Sequence, residues 1–362
     1  MGFADFLGNE SLVQDLRHML ASGRLPHALI LAGAEGAGKF TLAQMLAKTM
    51  NCMNPPKSSL PDFCGVCEGC RRIAEADDFE ACCADAAEAR DNLRESDKKD
   101  TRIFIQTHPD VLIIPPDPPQ IMIKVDQVRH VIETIYFRPS QGKHKVYIFT
   151  DSCFIKEAAN ALLKILEEPP EYAHILLLTT NPGELLSTVR SRCITFRLAT
   201  LPAGEIEKVL AERKPGLTVT QRALVARLSD GAIGRALRFQ LPAYVAQRQD
   251  ALAMLNSLDS NDHTLLFRTT ENYRAGAEGK QKTEDLLRIL NLLLQDSMYL
   301  REGMPELVRN IDIVPPLRSL AEKMDFERLQ HSSSALDALE AGMRRNLLRS
   351  LSLDSFALSL ER

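Results

Sequence analysis

The sequence has no apolar run approaching the ~18–20 residues that a membrane-spanning helix requires, so no membrane association is expected. It opens Met1-Gly2-Phe3-Ala4-Asp5-Phe6, without a basic segment leading into an apolar one. A secretory signal is therefore not expected, and a cytoplasmic location is. Neither sign of charge dominates: 44 basic and 48 acidic residues leave a net charge of −4. That balance gives no case for a strongly basic nucleic-acid binder. No internal repeat is evident. Nor is apolar content short: 45% hydrophobic and 25% charged residues are usual for globular chains and exclude a wholly disordered or fibrous one.

The 362 residues are enough for two or three domains. In the first 200 residues, short apolar runs alternate with helical spacing. Ala28–Ala32, Val111–Ile114, Lys145–Thr150 and His174–Thr180 read as strands, with a weaker one over Cys193–Leu198. Helices are predicted from Leu12 to a stop at Gly23, from Phe40 to about Met50, over the Val125–Ile135 spacing, and over Ala158–Glu168, where Pro169-Pro170 ends the pattern. Such alternation predicts an α/β fold: a parallel sheet with helices on both faces. After about Leu201 the pattern is helical almost throughout, broken by glycines at 231–234, and predicts an all-α C-terminal part.

Charge is unevenly placed. Residues 75–100 carry ten acidic and four basic side chains, which leaves the rest of the chain near +2. This stretch, within an insertion of about 75–106, is poor in large apolar residues. It is expected to be a poorly packed surface insertion, as solvated helix or loop.

Gly33-Ala34-Glu35-Gly36-Ala37-Gly38-Lys39 fits G-x-x-x-x-G-K between a predicted strand and a predicted helix, the context that makes the pattern a phosphate loop. Gly33, Gly36 and Gly38 let backbone N–H groups turn toward phosphate oxygens, and Lys39 adds a full charge. The next residue should carry the hydroxyl that holds Mg²⁺, but it is Phe40. Thr41 comes one position late, about 100° around the helix. At the end of the Lys145–Thr150 strand, Asp151 is the sole acid, and its neighbour Ser152 cannot serve as a general base. ATP with Mg²⁺ is thus a doubtful cofactor, and hydrolysis by this chain alone is expected to be weak or absent.

Eight cysteines are present, and Cys64, Cys67 and Cys70 fall within seven residues, with Cys52 upstream. In a cytosolic chain this spacing points to metal before disulfides, and four thiolates suit a closed, structural Zn²⁺ site. The adjacent pair Cys82-Cys83 is left out of that set. Two further segments have open readings from residues alone. Asn181, after the His174–Thr180 strand, is either a polar group aimed at a γ-phosphate or part of a strand-to-loop turn. Arg192, in Thr188-Val189-Arg190-Ser191-Arg192-Cys193, is either surface charge or an arginine finger offered to a neighbouring subunit's phosphates.

Taken together, several segments resemble the AAA+ subunits of the bacterial DNA polymerase III clamp loader. They are Gly23-Arg24-Leu25-Pro26-His27-Ala28, the Gly33–Lys39 loop, the four cysteines and His108-Pro109-Asp110. Ala158–Lys164 with Leu166-Glu167-Glu168-Pro169-Pro170, and Ser191-Arg192-Cys193, complete the set. The eroded ATPase site with Ser191-Arg192-Cys193 intact looks more like the delta-prime type than the gamma/tau motors. The resemblance implies an AAA+ core over 1–200 with a zinc module at 52–70, a helical lid over 201–242 carrying a nucleotide-sensing Arg235, and a helical collar over 243–362. It also implies a largely non-motor stator supplying Arg192 in trans. The implied partners are gamma/tau and delta subunits in a hetero-pentamer, the sliding clamp, and primer–template DNA reached through the assembly. A divergent gamma-type motor using Thr41 and Asp151, and a scaffold with an empty pocket, are the alternatives.

Overall fold

Ala28–Ala32 is apolar at every position, and such a segment is stable only with both faces covered. In the computed structural model it forms β1, buried throughout at the centre of the sheet. The structure describes residues 2–117, 122–257, 276–324 and 326–344. Prolines 118 and 119, and stretches 258–275 and 345–362 of the expected collar, lie outside the described residues.

The other strands are β2 (Ile105–His108), β3 (Val111–Ile114), β4 (Lys145–Phe149), β5 (Ala173–Thr179) and β6 (Ile194–Arg197). Their order across the sheet is β2-β3-β4-β5-β1-β6. All pairings are parallel except β2 with β3. The antiparallel edge strand β2 is absent from the sequence reading. It is four residues long with only its ends buried, so it offers neither an apolar run nor a clean alternation.

Period-two alternation sends β1 side chains to two cores. Leu29 and Leu31 join one face with α1 (Glu10–Ala21), α2 (Lys39–Asn51) and α3 (Glu68–Ala74). The insertion follows as α4 (Phe79–Asp91) and α5 (Glu95–Asp100). Ala28, Ile30 and Ala32 join the other face, with α6 (Val125–Ile135), α7 (Lys156–Glu167) and Val189 of α8 (Ser187–Arg190).

The acidic insertion differs in part from expectation. None of the α4 residues is fully buried, yet α4 is anchored at several points. Asp78 caps it by accepting from the Ala81 amide. The Phe79 ring lies 5.0 Å from that of Phe40. Asp77 pairs with Lys48 at 2.6 Å, and Arg90 donates to the buried Asp117 at 3.1 Å. The insertion is a helix tied down by its ends, which composition alone does not reveal.

His108-Pro109-Asp110 is structural. The buried Asp110 carboxylate accepts the amides of Ser140, Gln141 and Gly142 at 2.7–2.8 Å and so fixes the loop entering β4. Burial pushes its pKa up, but the amides of Gly142, Ser140 and Gln141 outweigh this and hold it below the usual carboxylate value. A lowered carboxyl stabilises the fold above its unfolded pKa of about 3.9, and that contribution is lost as pH falls through the folded value. Asp110→Ala should lower unfolding free energy by about 2–3 kcal/mol at neutral pH, because it removes the charged acceptor of three backbone amides. Denaturant melts of both proteins at pH 7 and pH 3 check this, with the difference expected to shrink at pH 3.

The chain divides into two compact units, one of Met1–Leu201 with Gly231–Arg235 and the other of Pro202–Asp230 with Ala236–Arg362. The second contains α9 (Ala203–Arg213), α10 (Val219–Leu228), the second half of α11 (Ile233–Arg238), and α12 (Leu241–Ser257). After these come α13 (Gly276–Arg301), α14 (Val314–Lys323) and α15 (Phe326–Arg344). Within it, the buried Arg248 donates to Asp312 and Asn310, while Asp296 accepts from the Asn310 side chain and amide.

Candidate functional site

The phosphate loop joins β1 to α2 at the carboxyl edge of the sheet, where open α/β sheets bind ligands. The Gly33 amide is held by Thr179 O at the adjacent end of β5. Gly36 and Gly38 have φ of 78° and 92°, left-handed values that a side chain would strain. A Cβ on Gly36 would also stand 2.7 Å from the Arg235 amide nitrogen. The Gly234 amide donates to Gly36 O at 2.8 Å, so the 231–235 segment rests on the loop through two glycines. Gly234 is marked in the sequence as part of a glycine break, with no signal of its contact with the loop. Arg235 follows it and is half-buried.

This backbone cradle fits phosphate oxygens: two loop positions open to left-handed φ lead into the amides of a helix N-terminus. Lys39 Nζ donates to Gly33 O at 2.6 Å and Ala34 O at 2.8 Å, folded back across its own loop. Burial lowers its pKa, opposed by the nearby Glu35 and Asp151 charges.

The residues needed for metal and water are arranged differently. Phe40 packs on the α4 side against Phe79, and Thr41 is exposed. Asp151 Oδ1 accepts the amides of Ser152 and Cys153. Ser152 is buried, and its hydroxyl donates to Leu178 O at 2.8 Å, turned into the sheet. Asn181 Oδ1 accepts the Gly183 amide at 2.9 Å and caps a short 3₁₀ turn. The groups that should place Mg²⁺ and a nucleophilic water are thus missing or engaged in local structure.

Arg192 lies at the other edge of the sheet. Parallel pairing sets Ile194 at the start of β6 beside Leu29 at the start of β1, and Arg192 precedes Ile194. The phosphate loop leaves the far end of β1, about 15 Å away at ~3.3 Å per residue. Val189 is fully buried and Cys193 packs on the same core, which anchors the loop while Arg192 is exposed. Its Nε donates to Glu167 Oε1 at 2.8 Å, and Nη1 to Thr188 O at 2.9 Å.

The four cysteines converge, with ligand sulfurs all within 4.8 Å of one another. Cys52 caps the end of α2, and Cys67 caps the start of α3, which carries Cys70. Gly65, at φ 70°, makes the turn between Cys64 and Cys67. Sulfur separations of 3.6 Å (Cys52–Cys64) and 4.0 Å (Cys52–Cys67) bracket the ~3.8 Å edge of a tetrahedron with 2.3 Å Zn–S bonds. Burial works against ionising Cys67, but the Cys70 and Met53 amides and neighbouring thiols bring it down to about 6. A metal ion fits this set. Cys82 and Cys83 are not in it.

A phosphate loop on a mostly parallel sheet, with a cysteine module on one face and a helix-rich second unit, defines an AAA+-type fold. Residues 8–202 match the family profile described as DNA polymerase III, delta subunit, and the chain belongs to that family of clamp-loader proteins. It is 30% identical over 323 residues to DNA polymerase III subunit delta' of Escherichia coli K12, covering 87% of this chain and 83% of the relative. It is also 30% identical over 269 residues to subunit tau of the same organism, covering 72% of this chain but 36% of tau, so it spans about a third of that relative. A solved Thermotoga maritima protein related to the DNA polymerase III gamma subunit aligns over 97% of this chain and 98% of its own, at TM-score 0.44 and 20% identity. No helix among the described residues is long and apolar enough to cross a membrane.

Proposed function

We propose that this chain is a delta-prime-like stator of a replicative clamp loader. It contributes Arg192 to nucleotide held by a neighbouring subunit and performs little hydrolysis itself. The supporting observation is that Arg192 and the phosphate loop sit at opposite ends of β1, so the arginine cannot serve its own pocket. The bond from Ser152 to Leu178 O supports the idle pocket. On this reading Zn²⁺ on Cys52, Cys64, Cys67 and Cys70 is structural, and residues 201–242 and 243–362 act as lid and collar. Gly33, Gly36, Gly38 and Lys39 hold at most a resident nucleotide, with Thr41, Asp151, Asn181 and Arg235 around it. The partners are gamma/tau and delta subunits in a hetero-pentamer, with the sliding clamp and primer–template DNA met through the assembly in the cytoplasm.

The test is steady-state ATP turnover by this chain alone, by gamma-type subunits alone, and by the reconstituted assembly. Negligible turnover by the chain and enhanced turnover in the assembly are expected. Robust Mg²⁺-dependent hydrolysis by the chain, abolished in Lys39→Ala, would favour the motor alternative. The contact of Lys39 with its own loop carbonyls favours a second reading, the scaffold with an empty pocket. Absence of ATP binding at equilibrium would select it.

A further inference from the structure

Glu167 is the last residue of α7, where the helix dipole leaves partial negative charge and an acidic side chain is disfavoured. A carboxylate there is offset locally by the guanidinium it holds. Glu167 Oε1 accepts from Arg192 Nε at 2.8 Å and also pairs with Nη2. Nη1 is held from the other side by Thr188 O at 2.9 Å and Ser191 Oγ at 3.3 Å, and Ser191 Oγ itself donates to Thr188 O at 3.0 Å. Four of the five guanidinium N–H groups are thereby directed at this chain, and one on Nη2 remains to point outward. The side chains of Arg192 and Glu167 keep 33% and 51% of their exposure, so the pair lies on the surface.

At such exposure an ion pair adds little stability. Its consequence is geometric. A long, flexible arginine that must meet a phosphate across a subunit boundary loses rotamer freedom on doing so, unless it is already held.

We infer that Glu167 is a positioning residue for Arg192, fixing the guanidinium plane so that its remaining Nη2 N–H is presented to the triphosphate of a neighbouring subunit. This rests on the finger reading of Arg192. α7 begins next to Asp151–Ile155, at the carboxyl edge of the sheet, and ends at Glu167. The holding residue therefore stands on a helix that spans the chain's own nucleotide edge and the Arg192 edge.

The experiment measures ATP turnover by gamma-type subunits as full-length chain is titrated in, for the parent, Glu167→Ala, Glu167→Gln, Arg192→Ala and Glu167→Ala/Arg192→Ala. Glu167→Ala should lower the stimulated kcat about tenfold, with the half-saturating concentration of chain unchanged, and should add nothing in the Arg192→Ala background. Glu167→Gln, which keeps an acceptor oxygen, should not exceed the parent. An unchanged or raised kcat in Glu167→Ala overturns the inference. So does a loss confined to half-saturation, which would mark a docking residue, or a Gln variant above the parent, which would mark the carboxylate as a brake. If Arg192→Ala itself leaves stimulation intact, the finger reading fails and this one with it. If Arg192→Ala abolishes stimulation and Glu167→Ala does not alter it, only the positioning role is lost.

Discussion

If Arg192 acts in trans as proposed, replacing it with alanine is expected to reduce the ATP turnover of the assembly by about 10³-fold or more. Phosphoryl transfer spreads negative charge over the equatorial oxygens of the γ-phosphoryl, and a guanidinium at that position acts where water has been excluded. The chain's own pocket offers no substitute, since Ser152 is bonded to Leu178 O and Phe40 stands where a hydroxyl is needed. The effect should be confined to catalysis. Arg192 is exposed, and its loop is anchored by Val189 and Cys193 instead, so the thermal midpoint should hardly move. Arg190 is exposed two residues away, and Arg190→Ala serves as the control for charge alone. Steady-state turnover of assemblies containing each variant is the measurement. Equal stimulation by the Arg192→Ala protein would remove the trans role.

Loss of the cysteine site should produce the largest change in stability. A closed four-thiolate site binds Zn²⁺ only when the chain is folded around it, so metal binding is folding free energy. Cys67→Ser or Cys70→Ser is expected to destabilise the α/β unit by about 3–5 kcal/mol, since either breaks the set and leaves the remaining buried thiols without a metal. The consequence reaches beyond the module. Ile73 of α3 is buried in the same core as Leu46 and Met50 of α2, and Gly69 approaches the Asn51 carbonyl so closely that a Cβ there would stand 3.1 Å from it. Asn51 Oδ1 in turn accepts the amides of Lys143 and His144 ahead of β4. Elemental analysis of protein purified without chelator should give about one zinc per chain, and chelation should lower the thermal midpoint. Because the ligands must be deprotonated, zinc should be retained at neutral pH and released on acidification. Protein free of zinc, with a midpoint insensitive to chelator, would refute the site.

The parts of this molecule legible in the sequence are those written in contiguous residues. The phosphate loop is a seven-residue turn between an apolar strand and a helix, and its neighbours along the chain are also its neighbours in space. Cys64, Cys67 and Cys70 are likewise close because they are close in sequence, with Cys52 joining them from the end of α2. β2 was missed because half of its four residues face away from the core. The insertion's anchoring was missed because the contacts that hold α4, Phe40 with Phe79 and Arg90 with Asp117, join residues 39 and 27 positions apart.

From the chain alone follow the α/β class, the phosphate loop, the defect at Phe40 and the cysteine ligand set, because local patterning and residue chemistry determine each of them. Tertiary structure alone decided where those parts stand. The pairing of β6 beside β1 set Arg192 next to the start of β1, at the opposite sheet edge from Lys39. Register turned the Ser152 hydroxyl onto β5, and the end of α7 brought Glu167 to a guanidinium 25 positions later in the chain. The physical reason is that a parallel sheet joins strands remote in sequence, so which groups share an edge depends on strand order and register, and no local pattern encodes either.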